Sequence, residues 1–186
     1  MTVYVFAGPN GSGKSSVIPE FIKEHHVEDV EYICPDIYAS TYFSEIPDIM
    51  ERYGKAMDYA EYKRKRLLSE RKSMIIETVL SREDKLDFLR EAAAMGYSIV
   101  AVFVGTDSPE INIARVAKRV SEGGHDVPAD KLRARYYRSM QNLKALSDVS
   151  DELYVYDNST SLHLVSASIH HAKYCSDDAP DWAKNI

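Results

Sequence analysis

Gly8-Pro9-Asn10-Gly11-Ser12-Gly13-Lys14-Ser15 fits the pattern G-x-x-x-x-G-K-[ST] at every fixed position. The chemistry of that pattern is the holding of phosphate. Its glycines let backbone N–H groups turn inward as an anion nest, and the start of a following helix adds a positive dipole. Lys14 then reaches the outer phosphates, and the Ser15 hydroxyl is a ligand for Mg²⁺. With Ser16 included, residues 8–16 predict a site for ATP or GTP together with Mg²⁺. A chance glycine turn fits poorly, because the loop lies between the strand-like run Thr2–Ala7 and a segment of helical composition.

Other residues must decide what becomes of the phosphate. Asp36, in Cys34-Pro35-Asp36, follows a second strand-like run. There its carboxylate could take the proton of an acceptor hydroxyl or hold a metal ion through water; capping the next helix is an equally good account. Glu77 and Thr78 end the apolar run Met74-Ile75-Ile76. A carboxylate there is costly unless it emerges to meet ligand or metal, so Glu77 is a candidate for the acceptor or a Mg²⁺-bound water, and Thr78 for the same ligand. Arg115 and Arg119 lie four apart, His125 follows Gly123-Gly124, and Arg133, Arg135 and Arg138 come next. Phosphoryl transfer chiefly needs charge stabilisation and exclusion of water, which an arginine-bearing lid supplies. A solvated basic helix face is the competing reading for most of these arginines taken singly. Asn158, in Asp157-Asn158-Ser159, is placed to meet an adenine edge or simply to form a turn.

The elements that would position these groups can be read in outline. Strands are expected at Thr2–Ala7, Val30–Cys34, Ser73–Leu80, Tyr97–Val104 and Glu152–Tyr156, with a small hairpin over Leu162–Cys175. Between them, Pro47–Lys72 reads as one long helix or a pair broken near Gly54. Pro19 predicts a kink in the helix after the loop. Ser81 and Asp84 resemble a capping box opening a helix over Arg82–Met95, which Gly96 closes. Ser108-Pro109-Glu110 is a strong helix start, with the helix running to Ser121, and a further helix is expected over Ala129–Leu146. Strands alternating with helices predict an α/β fold: a P-loop NTPase with about five mainly parallel strands, helices on both faces, a helical arginine lid and a small C-terminal hairpin. Ligands of such sheets lie beyond the C-terminal ends of the strands, where every candidate above is found. The expected organisation is one domain over residues 1–160 with its lid at 108–147, and a hairpin and tail over 161–186 packed on it.

Composition narrows the class. The chain has 186 residues, 45% hydrophobic and 28% charged, with a net charge of −6. The acidic balance argues against nucleic acid as a partner, and no apolar run approaches a membrane span. The N-terminus lacks the basic region of a signal peptide, so a cytoplasmic location is expected. The two cysteines, Cys34 and Cys175, have neither zinc nor redox spacing and are read as free thiols. No Asn-Lys-x-Asp or Asp-x-x-Gly occurs, which argues against a GTPase. The Tyr97–Val104 strand runs into Gly105-Thr106 rather than an acidic residue, which argues against a motor ATPase. A kinase for a small hydroxyl acceptor is the leading expectation. A nucleic-acid 5′-end kinase and an ATP-binding regulatory module that transfers nothing are the alternatives.

The ordered set AGPNGSGKSS (7–16), CPDIYA (34–39), IIETVLS (75–81), ARVAKRVSEGGHDVPADKLRARYYRSMQNL (114–143) and VYDNS (155–159) resembles the zeta-toxin-like small P-loop kinases. It resembles more closely their stand-alone AAA-type ATPase relatives. The resemblance implies ATP-dependent phosphorylation of a hydroxyl, in zeta toxins one on the sugar ring of a nucleotide-activated amino sugar. It implies Lys14 and Ser15 as the holders of phosphate and Mg²⁺, Asp36 as the base, Glu77 and Thr78 facing the acceptor, and Arg119 and Arg135 as catalytic lid arginines. An antitoxin-like protein partner is implied as well. The chain departs from the toxins in being shorter and in carrying Cys34-Pro35 ahead of the aspartate.

Overall fold

The computed structural model describes residues 1–122, 127–170, 172–184 and 186. Strand β1 (Thr2–Ala7) is built from β-branched and aromatic residues, and Val3, Val5, Phe6 and Ala7 are wholly buried. Such a run is stable only where both faces are covered, and β1 accordingly lies inside the sheet. It pairs in parallel with β3 (Met74–Thr78) on one side and with β4 (Ser98–Gly105) on the other. Outside these lie β2 (Glu31–Ile33) against β3 and β5 (Glu152–Asp157) against β4, both also parallel. The antiparallel β6 (His163–Ile169) and β7 (Ala172–Cys175) extend the same sheet, giving seven strands in the order β2-β3-β1-β4-β5-β6-β7. The expected hairpin therefore exists, and it continues the five parallel strands instead of packing beside them.

Helices cover both faces. One face buries Phe6, Ile75, Val102 and Val104 under Val17, Ile18 and Phe21 of α1 (Lys14–Glu24). The other buries Val3, Val5, Met74, Ile76 and Phe103 under α3 (Ile49–Ser69), α4 (Glu83–Ala94) and α7 (Leu143–Val149). Both layers follow from the period-2 alternation of the strands, which sends neighbouring residues to opposite faces. Short α2 (Pro35–Thr41) follows β2, and α5 (Pro109–Ser121) and α6 (Ala129–Gln141) follow β4. A 3₁₀ turn, Asp181–Ala183, places Trp182 over Gly105. Among the described residues no helix is long and apolar enough to cross a membrane.

Several helix details differ from the local sequence signals. α1 continues through Pro19. The hydrogen bond lost is the one to the Ser15 carbonyl one turn earlier, and exposed Ser15 can find water instead. The Ser81/Asp84 capping box does not form: Arg82 is the N-cap, and its guanidinium bonds Asp84 at 3.1 Å. α3 runs unbroken past Gly54, opened by Asp48, whose carboxylate accepts from Glu51 N–H at 2.7 Å. The helix expected over Ala129–Leu146 divides at Asn142, whose side-chain amide donates to the Leu80 carbonyl at 2.9 Å. Gly96 closes α4 as expected, with φ of 84° and the Tyr97 N–H returning to Ala92 O. Both cysteines are free.

Candidate active site

The loop expected to hold phosphate leaves β1 at Ala7 and enters α1 at Lys14. Gly8, Gly11 and Gly13 all have positive φ. At Gly8 (φ 139°) the requirement is also steric, since a Cβ would lie 2.1 Å from the Val104 carbonyl oxygen of β4. Gly13 is the left-handed N-cap of α1, and Ser16 N–H of the first turn returns to its carbonyl at 3.0 Å. Lys14 is buried, its ammonium donating to Gly8 O at 2.8 Å and Pro9 O at 2.9 Å. Burial lowers its pKa, and nearby Arg119 lowers it further, while Glu77 and Asp36 oppose the shift. Asn10 Oδ1 and Ser12 Oγ are buried here without protein partners. A glycine nest with a buried lysine, beside a buried Ser12 hydroxyl that still has its proton to donate, fits a polyphosphate.

Strand order brings the acids to one side of the loop. Glu77 is opposite Phe6, one residue before the end of β1. The Ser15 hydroxyl lies 3.1 and 3.3 Å from the two Glu77 carboxylate oxygens. Ser15 and one carboxylate fit Mg²⁺, which is commonly held by one or two carboxylates together with substrate phosphates. Asp36 is exposed in the first turn of α2 and close enough to Lys14 and Tyr53 to act on both electrostatically. The N-cap of that helix is Cys34, not Asp36, so capping does not account for the aspartate. Thr78 is buried and its hydroxyl accepts from Leu80 N–H at 3.0 Å, bracing the turn after β3 while its own proton stays available to donate. Leu80 has φ of 56°, unusual for a bulky residue, and is pinned there by Thr78 and Asn142.

The opposite side of the loop is built by β4, β5 and α5. Asn158 does not point outward as a turn residue: its amide donates to Ser12 O at 2.8 Å and lies against Gly13. It thus braces the phosphate loop from the β5 side. Arg115 is half-buried and donates to the Ser159 carbonyl at 3.3 Å, while its Nη1 is buried without a partner. Arg119, one turn on, is exposed and near Lys14 and Tyr53. Arg133 pairs with Glu110 at 2.9 Å, tying α6 to the start of α5. Arg135 is half-buried and Arg138 exposed on α6. The fold brings Arg119 to the loop lysine; Arg133 is committed to another partner. His125 and the Gly123-Gly124 break lie outside the described residues.

Sequence reasoning missed three contacts that assemble this end of the molecule. Tyr32 of β2 donates its phenol proton to Glu77 Oε2 at 2.8 Å. Burial, and then the Glu77 charge, raise the Tyr32 pKa, so the phenol remains a donor; burial likewise raises that of the neighbouring Cys34 thiol. Tyr136 of α6 donates to Thr106 O at 2.5 Å, and Trp182 Nε1 to Asp107 Oδ1 at 3.2 Å, so residues 106–107 join α6 and the C-terminal tail. The signal for Tyr32 lay in alternation along β2, which needs the β2–β3 register to be interpreted.

Residues 2–168 match the sequence profile of the zeta toxin family. An uncharacterised protein of Haemophilus influenzae is 31% identical over 61 residues, 33% of this chain and 44% of that protein. Among solved structures, a chain of the AvrRxo1-ORF1:-ORF2 complex with ATP has a TM-score of 0.73 at 17% identity, over 94% of this chain and 60% of that one. A chain of the PezAT chromosomal toxin–antitoxin system of Streptococcus pneumoniae has a TM-score of 0.66 at 17% identity, over 88% of this chain and 69% of its own. At such identities the likeness is one of fold. The chain thus spans less than two thirds of the length of the curated relative and of the AvrRxo1 complex chain.

Proposed function

The chain belongs to the zeta toxin family, and from that premise we propose that it uses ATP to phosphorylate a hydroxyl of a small molecule. The observation that carries the reading is convergence: Lys14, Ser15, Glu77 and Asp36, from three strand ends, meet around one phosphate loop. ATP would supply the phosphoryl group, and Mg²⁺, held by Ser15 and Glu77, would neutralise its charge. Asp36 accepts the proton of the acceptor hydroxyl as its oxygen bonds to the γ-phosphorus and the bond from phosphorus to the ADP oxygen breaks. Lys14 and Arg119 offset the negative charge on the transferring group, with Arg135 brought from α6 as the lid closes. Glu77 and Thr78 border the acceptor on the same side as Asp36. A nucleotide-linked sugar is the acceptor class that the family suggests.

A protein partner is part of the proposal. One structural neighbour was solved with a second open-reading-frame product and another belongs to a toxin–antitoxin system. Both support an antitoxin-like protein partner for this chain. Incubation with ATP and a metabolite extract, read by mass spectrometry, should reveal a species gaining one phosphate. The species should vanish with Lys14→Ala and form about 10²–10⁴-fold more slowly with Asp36→Asn. Undiminished phosphorylation by Asp36→Asn would exclude that residue as the base, and no acceptor-dependent ADP formation with any extract would exclude transfer.

A further inference from the structure

We infer that Tyr32 is a positioning residue for Glu77, holding its carboxylate toward Ser15 in the orientation that receives the metal ion; this rests on the proposed role of Ser15 and Glu77 as the Mg²⁺ site. Tyr32 pairs with Ile75 in the parallel register of β2 and β3. Residues two apart on a strand share a face, so Tyr32 and Glu77 project from the same side of the sheet, one step apart on the diagonal. The Tyr32 ring packs on the core that includes Phe6, Val17 and Ile75, which fixes where its hydroxyl ends. From there it reaches Glu77 Oε2 at 2.8 Å, while the Ser15 hydroxyl lies across both carboxylate oxygens.

The choice of a phenol has a physical consequence. Glutamate has three rotatable side-chain bonds, and its carboxylate at the mouth of a site must be held if it is to meet a cation in one geometry. Lysine or arginine would hold it by cancelling the charge that the cation needs. A neutral hydroxyl orients the carboxylate and leaves its negative charge in place. Ser15, the other contact, belongs to the loop, so Tyr32 supplies the anchor from the sheet.

The test is Mn²⁺ binding to the full chain saturated with ADP, read by electron paramagnetic resonance, in the natural protein, Tyr32→Phe and Glu77→Gln. Tyr32→Phe retains the packed ring and should keep the urea midpoint close to that of the natural protein. Its Mn²⁺ affinity should fall roughly tenfold, the scale of a hydrogen bond to a charged group. In turnover assays kcat should fall and the Mg²⁺ requirement rise, with KM for ATP little changed, a split that a general loosening of the fold would not produce. If Glu77→Gln weakens Mn²⁺ binding and Tyr32→Phe does not, Tyr32 has no positioning role and the metal-site reading survives. If Glu77→Gln leaves Mn²⁺ binding intact, the metal-site reading falls and the inference with it.

Discussion

Three glycines separate the backbone and steric requirements of the fold. Gly54 lies inside α3 with nothing within 4 Å of the point a Cβ would occupy and no positive φ. Gly54→Ala should therefore stabilise the protein by ~1 kcal/mol, because alanine restricts the unfolded chain and favours the helix. Gly96 has the same open surroundings but φ of 84°, so Gly96→Ala isolates the left-handed backbone cost of about 1–2 kcal/mol. Gly8 combines φ of 139° with a Cβ 2.1 Å from Val104 O. That oxygen belongs to a fully buried residue of β4, paired in register with Tyr156, and cannot swing away as a flexible side chain would. Overpacking of this kind adds about 1–3 kcal/mol to the backbone cost, placing Gly8→Ala at roughly 2–5 kcal/mol of destabilisation. Urea unfolding at constant m gives all three values, and nucleotide titration followed by the fluorescence of Trp182, the single tryptophan, gives the accompanying loss of binding. If Gly8→Ala came within about 1 kcal/mol of Gly96→Ala, the idea that β4 dictates the start of the phosphate loop would be wrong.

Lys14 predicts a pH dependence. Burial holds its folded-state pKa below the ordinary 10.5, so between those two values the unfolded chain binds the extra proton. Stability from this group therefore rises with pH toward 10.5. Lys14→Met should flatten that rise in urea midpoints as the pH approaches 10.5, and parallel curves for the two proteins would refute the assignment. Asn158→Ala removes the amide bond to Ser12 O and should weaken nucleotide binding about fivefold, the scale of ~1 kcal/mol, while leaving the acceptor KM unchanged. A rise in acceptor KM alone would contradict its place on the nucleotide side.

Local signals carry much of this architecture. The loop between β1 and α1, the Pro109 start of α5 and the Gly96 cap are written in residues whose backbone limits are intrinsic, and they fall where the sequence places them. Asp36 and Glu77 are legible as candidates because each follows a strand-like run. The remainder depends on pairings distant in sequence. Asn142 divides α6 from α7 through a bond to Leu80, 62 residues away. The hairpin joins the sheet because β5 offers an open edge, and Tyr32 meets Glu77 only in the β2–β3 register. Asn158 shows the limit most directly: its position after β5 is plain in the sequence, but its direction is set by Ser12, 146 residues earlier.

With the phosphate-loop strand β1 between β3 and β4, the chain divides its tasks by segment. Residues 31–78 supply Tyr32, Asp36, Glu77 and Thr78 on one flank, and residues 98–159 supply Arg115, Arg119 and Asn158 on the other. On the proposed roles, the acceptor side could then be rewritten within one contiguous stretch of gene as long as Tyr32 and Glu77, which also serve the metal ion, were kept. If those roles hold, the order of strands gathers the acceptor-facing residues into a transplantable cassette.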